Sequence, residues 1–178
     1  MGKIRIIGGV HRSRQLPVLD SKDLRPTLDR VKETVFNWLG QDLTGKSCLD
    51  LFAGSGSLGF EACSRNATKV IMVEQNVKVA QQLKNNIQLL KVESNCQVLC
   101  TDALIYLQKT LDKFDVIMLD PPYQGNLLNK ALERIDQILA KDGVIYIEYE
   151  IEPCLPDTLM MIKNGKAGNV RFALLARS

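Results

Sequence analysis

Two short stretches of this sequence hold residue types that could do chemistry together. One is Asp50-Leu51-Phe52-Ala53-Gly54-Ser55-Gly56-Ser57-Leu58-Gly59 and the other is Asp120-Pro121-Pro122-Tyr123. In the first, Gly54 and Gly56 permit a sharp turn and a close approach of backbone to a ligand. Gly59 lets a following helix pack closely on a sheet. Such a glycine pattern alone also fits a nicotinamide or flavin dinucleotide. Asp50 argues against that, because a carboxylate just before the loop repels a pyrophosphate. It suits a ligand that carries an ammonium and a sulfonium. Glu74, about 20 residues further on, can accept hydrogen bonds from both hydroxyls of a ribose. Asp102 is placed to accept from an adenine amino group. S-adenosylmethionine has all of these groups and no phosphate. The plain alternative for Glu74 and Asp102 is an ordinary charged residue at a strand end.

The second stretch suits a poor nucleophile. The lone pair of an exocyclic base amine is delocalised into the ring. Two acceptors that take both N–H groups pull the nitrogen toward tetrahedral geometry and free that pair. Asp120 supplies one acceptor and the Pro121 carbonyl the other. Pro121 and Pro122 fix φ and offer no N–H, so the turn is rigid. Tyr123 can stack on the base. Read in isolation, the same tetrapeptide is a proline-rich turn after a strand. A base inside a duplex cannot reach such a pocket, so the target is single-stranded, looped or flipped out.

These residues need elements to hold them. Apolar β-type runs occur at Cys48–Leu51, Val70–Val73, Val98–Cys100, Val116–Leu119 and Val144–Ile147. Helix-period runs lie between them: Ala80, Leu83, Ile87 and Leu90, then Leu128, Ala131, Leu132, Ile135, Ile138 and Leu139. The alternation predicts an α/β fold with a mainly parallel sheet covered on both faces, and ligands beyond the carboxyl ends of its strands. Upstream, Lys3–Ile7 reads as a strand ending at Gly8-Gly9. Pro26 and Thr27 open a helix with Leu28, Val31, Val35 and Leu39 as its apolar stripe and Gly40 at its end. Downstream, Thr158–Ile162 and Val170–Leu175 read as a terminal hairpin with Gly165 and Gly168 between its strands. The division expected is a basic strand-and-helix extension over 1–40 and a cofactor-binding domain over 41–178, forming one compact unit.

The 178 residues suit one domain with a real core, and 46% hydrophobic with 24% charged residues is ordinary for a globular chain. No apolar run approaches a membrane span and the N-terminus lacks a signal-peptide core, so a cytoplasmic protein is expected. Five cysteines without a Cys-x-x-Cys pair, and the single histidine His11, argue against a zinc site. The overall charge of +3 is mild, but through Lys32 there are eight basic and three acidic residues, a local net of +5 that leaves −2 for the rest. That pattern fits an arm for a phosphate backbone, or a solvated tail.

Beyond these readings, the chain resembles a known group. Asp120-Pro121-Pro122-Tyr123 with Asp50–Gly59 upstream resembles the class I amino-methyltransferases that act on adenine N6 or guanine N2. Arg5-Ile6-Ile7-Gly8-Gly9, Arg12-Ser13-Arg14, Arg25-Pro26-Thr27-Leu28-Asp29-Arg30-Val31-Lys32-Glu33 and Phe36-Asn37 narrow this to the RsmD family. Its members are bacterial 16S rRNA guanine-N2 methyltransferases. The resemblance implies a Rossmann-like methyltransferase fold with a seven-stranded sheet and an N-terminal extension. It implies S-adenosylmethionine at Asp50, Phe52, Ala53, Gly54, Gly56, Glu74, Asp102 and Ala103, and the target base at Asp120–Tyr123. It implies a guanine of 16S rRNA, guanine 966, as target and the assembled small subunit as partner. Arg5, Arg12, Arg14, Arg25 and Arg30 are then the candidate RNA contacts; no metal and no membrane is expected, and a monomer is the default. Ser13 departs from the family, which usually has glycine between the two arginines. Residues 25–33 also have a bland reading, as a helix start with Asp29 offsetting the dipole. Rival functions are an adenine-N6 methyltransferase, a non-catalytic RNA-binding or assembly factor on the same fold, and a nicotinamide-dependent oxidoreductase.

Overall fold

In the computed structural model, residues 2–19 and 29–178 are described. Seven strands form one sheet in the order β5-β4-β3-β6-β7-β9-β8. Within it, β3 (Ser47–Asp50) is flanked in parallel by β4 (Lys69–Glu74) and β6 (Phe114–Leu119). Beyond them, β5 (Cys96–Cys100) and β7 (Leu139–Tyr149) are also parallel to their neighbours. The hairpin of β8 (Leu159–Ala167) and β9 (Val170–Arg177) closes the edge, with β9 antiparallel to β7.

Burial on both faces explains why these strands read as continuous apolar runs. Alternate residues divide the core. Cys48, Val70, Met72, Val116, Met118 and Tyr146 belong to one buried cluster, together with residues of α1 (Asp29–Leu39), α2 (Ser57–Ser64) and α3 (Val77–Leu90). Leu49, Ile71, Ile117, Leu119 and Ile147 belong to the other, with α4 (Ala103–Lys109) and α5 (Leu127–Ile135).

A separate antiparallel hairpin, β1 (Gly2–Arg5) and β2 (Gln15–Val18), lies at the N-terminus. Its Ile4 and Leu16, with Ile6 and with Val31 and Phe36 of α1, are buried in the same cluster as Phe60, Met72 and Leu83. Ion pairs reinforce this seam. Glu61, fully buried on α2, accepts from the Ile7 and Gly8 amides at 3.1 and 2.8 Å and from Arg65 Nε at 3.0 Å. Lys32 Nζ lies 3.5 Å from the same carboxylate and donates to Arg5 O and Ser57 Oγ.

Several boundaries differ from the sequence reading, three of them instructively. The first strand stops at Arg5 rather than Ile7, although Ile6 still exchanges backbone hydrogen bonds with Ser13 and Arg14. The helix-period run ending at Leu139 breaks sooner: α5 stops at Ile135, a 3₁₀ turn spans Asp136–Ile138, and Leu139 begins β7. Apolar spacing cannot separate the end of a helix from the start of a buried strand. Gly165 lies within β8 opposite Phe172, where a Cβ would come 2.6 Å from the ring, so close packing rather than a turn requires it. Ser13 adopts φ 70°, the left-handed region that glycine occupies more readily. Pro26, Thr27 and Leu28 lie outside the described residues. Cys48, Cys63 and Cys96 are buried, and Cys100 and Cys154 are exposed.

Candidate active site

The loop after β3 is stitched to both neighbouring strands. Leu51 N–H donates to Met118 O at 3.2 Å and Ala53 N–H to Val73 O at 2.9 Å. Gly56 then turns the chain into α2 with φ 80°, and every residue of α2 is buried. At Gly59 a Cβ would meet Met72 Sδ at 2.5 Å, so the helix lies against β4 as the glycine spacing predicts. The end of β2 lies against the loop: Val18 and Leu19 line a crevice of about 10 Å³ with Gly54, Ser55, Val79 and Leu83.

Asp50 faces into this junction. It is 1% exposed, and Oδ2 accepts the Gly59 amide at 3.0 Å, satisfying one of the orphan N–H groups of the first turn of α2. Burial pushes its carboxyl up to about 7, against the pull of the Gly59 amide and with help from Glu74 and Glu148. Glu74 ends β4 half-buried. Oε2 accepts from Gly54 N–H at 3.0 Å and Oε1 from Asn76 N–H at 2.8 Å, so it ties the glycine loop to the start of α3. Asp102 follows β5 and caps α4, with Oδ1 accepting from Ile105 N–H at 3.0 Å. Ala103 is the buried first residue of α4, Ala53 is buried, and Phe52 is half-buried against the second core cluster. The three acids therefore stand at the carboxyl ends of three adjacent strands.

Asp120 lies one residue beyond β6, the neighbour of β3 on the other side. Asp120 and Tyr123 are half-buried, Pro121 is buried and Pro122 exposed. Strand spacing puts this turn about 5 Å across the sheet from the tip of β3. The glycine loop and the Asp-Pro-Pro-Tyr turn are thus brought together at one end of the sheet, as expected for ligands in open parallel sheets.

Two residues of β7 complete this end and were not singled out from sequence. Tyr146 is fully buried and donates its hydroxyl to Glu148 Oε1 at 2.6 Å, and Glu148 is 6% exposed. Burial pushes the Tyr146 phenol up, and the charge of Glu148, then Asp120 and Tyr123, push the same way. The available signal was a glutamate inside an apolar strand, two residues from a tyrosine and so on the same face.

The basic residues divide. Arg5 is exposed near the start of α2: its carbonyl meets the lysine that holds Ser57, and its side chain pairs at 3.1 Å with Asp29, next in sequence to the exposed Arg30. Arg12 and Arg14 are exposed in a turn docked on the other end of α2, where Val10 N–H donates to Ser64 O, while Arg14 reaches Leu89 O near the end of α3. Those helices run back from the strand tips for about 12 and 21 Å. Arg12 and Arg14 are therefore not brought to the candidate site. Arg25 lies outside the described residues. A cleft of about 470 Å³ between the end of β7 and the β8–β9 hairpin, lined by Tyr149, Lys166 and Arg171 among others, lies apart from the glycine loop. Among the described residues, no group of three His, Cys, Asp or Glu side chains is placed to hold a metal, and no helix is long and apolar enough to cross a membrane.

The family model described as conserved hypothetical protein 95 matches residues 4–176. The Haemophilus influenzae protein named ribosomal RNA small subunit methyltransferase D is 44% identical over 180 residues, 97% of this chain and 93% of its own length. The Escherichia coli K12 protein of the same name is 40% identical over 181 residues, 99% of this chain and 91% of its own. The solved structure of yhhF from Escherichia coli matches with a TM-score of 0.90 and 40% identity, covering 99% of this chain and 98% of that one. With a Rossmann-like methyltransferase sheet and likeness along nearly its whole length, the chain belongs to the RsmD family of methyltransferases.

Proposed function

We propose that this protein transfers a methyl group from S-adenosylmethionine to the exocyclic N2 of a guanine in 16S rRNA, guanine 966 by family likeness, within the assembled small subunit. The observation that carries the reading is the Asp120–Tyr123 turn beside the β3 glycine loop, with Asp50, Glu74 and Asp102 at the neighbouring tips of β3, β4 and β5. The donor set fits the cofactor. Asp50, Glu74 and Asp102 offer acceptors and negative charge for an ammonium, ribose hydroxyls and an adenine amine. Lys32, a buried cation that reaches the start of α2, is committed to Glu61, Arg5 O and Ser57. The three carboxylates would repel a pyrophosphate, which argues against the dinucleotide reading. Phe52, Ala53 and Ala103 would give the adenine and ribose an apolar wall.

When bound, the cofactor would supply an electrophilic methyl group and leave as the neutral thioether, its methyl–sulfur bond broken. The rest is work for this chain. Asp120 and the Pro121 carbonyl each accept one N–H of the amine, which holds the nitrogen lone pair out of conjugation. As the new C–N bond forms, the nitrogen becomes cationic, and Asp120 is placed to stabilise that charge and take the released proton. Pro122 stiffens the turn and Tyr123 stacks on the extruded base. Positioning and fixed dipoles account for most of the acceleration. Arg5, Arg25 and Arg30 would hold phosphates near the site, and Arg12 and Arg14 would do so further back along the RNA.

The test is labelled methyl transfer to small subunits from a strain lacking this protein, with duplex DNA in parallel and nucleosides identified by mass spectrometry. N2-methylguanosine from the subunit RNA is expected. N6-methyladenine in DNA, or no transfer to subunits, would overturn the reading.

A further inference from the structure

The cleft at the end of β7 holds charged side chains for which the transfer step has no use. Its volume of about 470 Å³ is that of a small-molecule site and admits a nucleotide. Strand register fixes where it lies. Leu119 of β6 pairs with Ile147 of β7, so Tyr149 comes level with Pro121 of the catalytic turn. Tyr149 pairs with Arg171 of β9, and Arg171 pairs with Lys166 of β8. One row therefore crosses the strand-tip end of the sheet from the catalytic turn to the cleft. Arg171 and Lys166 stand two and three strands from β6, about 10 and 14 Å across the sheet.

An irregularity in β8 builds the cleft. Met161 pairs with Leu175 and Lys163 with Leu174, so Ile162 is an extra residue in the strand. The bulge shifts the alternation, and Asn164 and Lys166 fall on the face shared by Met161, Arg171 and Tyr149. Tyr149 is buried in the second core cluster and Met161 packs against it, so the floor is apolar. The walls are polar. Arg171 Nη1 donates to Glu152 Oε2 at 3.2 Å, and both side chains are exposed. A pair of that kind contributes at most about 1 kcal/mol, so a phosphate can take the place of the carboxylate. Lys166 and Asn164 are exposed beside it. Two cations and one carboxylate above an apolar floor suit a bare anion poorly. They suit a ligand that joins an anionic group to O–H or N–H donors, as a nucleotide joins phosphate to ribose hydroxyls and base amines.

Resting on the rRNA reading above, we infer that this cleft is a nucleotide subsite for the RNA strand that flanks the target guanine. Lys166 and Arg171 hold its phosphate, and Glu152 and Asn164 meet its hydroxyls or amines. The β8–β9 hairpin then guides the RNA toward the catalytic turn independently of the basic N-terminal arm, and sets its register without reading the target base.

The test is methylation of small subunits by the double variant Lys166→Ala and Arg171→Ala, with binding to the subunit and to a protein-free rRNA fragment carrying the target guanine. KM for the subunit should rise by at least about 10-fold, the range of a charge-assisted hydrogen bond. Turnover at saturation and S-adenosylhomocysteine affinity should stay within about two-fold, since the contact is made equally in ground and transition states. The slope of log affinity against log salt should flatten by roughly one to two contacts on both RNAs, and Lys166→Ala alone should give the smaller part of it. The control is Lys46→Ala with Lys141→Ala, which removes the same charge from exposed residues at the opposite ends of β3 and β7. It should leave KM unaltered. An unchanged KM in the double variant, or an equal rise in the control, overturns the subsite while leaving rRNA methylation in place. A loss confined to the subunit, with the protein-free fragment bound as before, also overturns it and makes this face a dock for a subunit protein. A wild-type protein that methylates no subunit RNA overturns the rRNA reading itself.

Discussion

Asp120 and Asp50 are both acids at strand tips, and their surroundings separate their tasks. Asp120 is half-buried in a turn without amide donors at Pro121 and Pro122, which suits an acceptor for substrate. Asp120→Ala is expected to lower kcat by about 10²- to 10³-fold, the usual cost of one preorganised partner in the transition state. S-adenosylhomocysteine affinity should stay within a few-fold, and calorimetry with single-turnover kinetics would separate the two; unchanged turnover would refute the role. Asp50 is enclosed, with a carboxyl near 7 against an ordinary 3.8. Its folded-state value lies above its unfolded one, so between about pH 4 and 7 the native state binds the extra proton. The contribution of Asp50 to stability is thus full at low pH and is lost as pH rises toward 7, with a slope of at most roughly 1.4 kcal/mol per pH unit. Asp50→Asn should flatten that part of the profile, read by denaturant unfolding between pH 5 and 8. The position of Asp50 before the glycine loop was legible in sequence, since a strand tip and a glycine turn are local features. Its hydrogen bond to Gly59 was not, because side-chain direction depends on how α2 folds back over β4.

At the scale of elements, the strands and helices were readable because each buries an apolar face, and burial imposes a period on the sequence. The seam between the N-terminal hairpin and α2 was not readable. Glu61 bonds amides 53 and 54 residues away in sequence, and no period marks such a pairing. Removing that carboxylate leaves Lys32 as a buried cation and two amides without their acceptor. Glu61→Ala should cost about 3–5 kcal/mol, measured by chemical denaturation. The adjoining turn offers a change of opposite sign. Ser13 holds φ 70° where the resembling family has glycine, and its N–H already donates to Ile6 O, so the backbone is committed to that shape. Ser13→Gly should relieve up to about 1 kcal/mol of strain, offset in part by the greater freedom of glycine in the unfolded chain. For a chain of this size, that raises the melting temperature by at most about 2–4 °C. A fall would show that the serine side chain matters more than its backbone.

Over the whole molecule, charge is arranged by end. The carboxyl ends of the strands hold the acids; Arg5 lies near the start of α2 and pairs with Asp29, the neighbour of Arg30, while Arg12 and Arg14 sit where α2 and α3 finish. In sequence the basic arm is one stretch. Among the described residues it forms two patches in space, because the β1–β2 hairpin folds back over the length of α2. The separation has a measurable consequence for a substrate as large as a ribosomal subunit. Each arginine that neutralises a phosphate releases counterions, so charge reversal flattens the dependence of log affinity on log salt by roughly 0.7–0.9 per lost contact. Arg30→Glu should flatten it for the small subunit and for a short RNA hairpin carrying the target guanine alike, since both occupy the strand-tip end. The double change Arg12→Glu and Arg14→Glu should weaken and flatten binding of the subunit by roughly one to two contacts. It should leave methylation of the short hairpin unaltered, because that RNA cannot reach the far patch. Equal losses on both substrates would place the two patches on one continuous track near the site, and no loss on either would leave the far arginines as solvated surface.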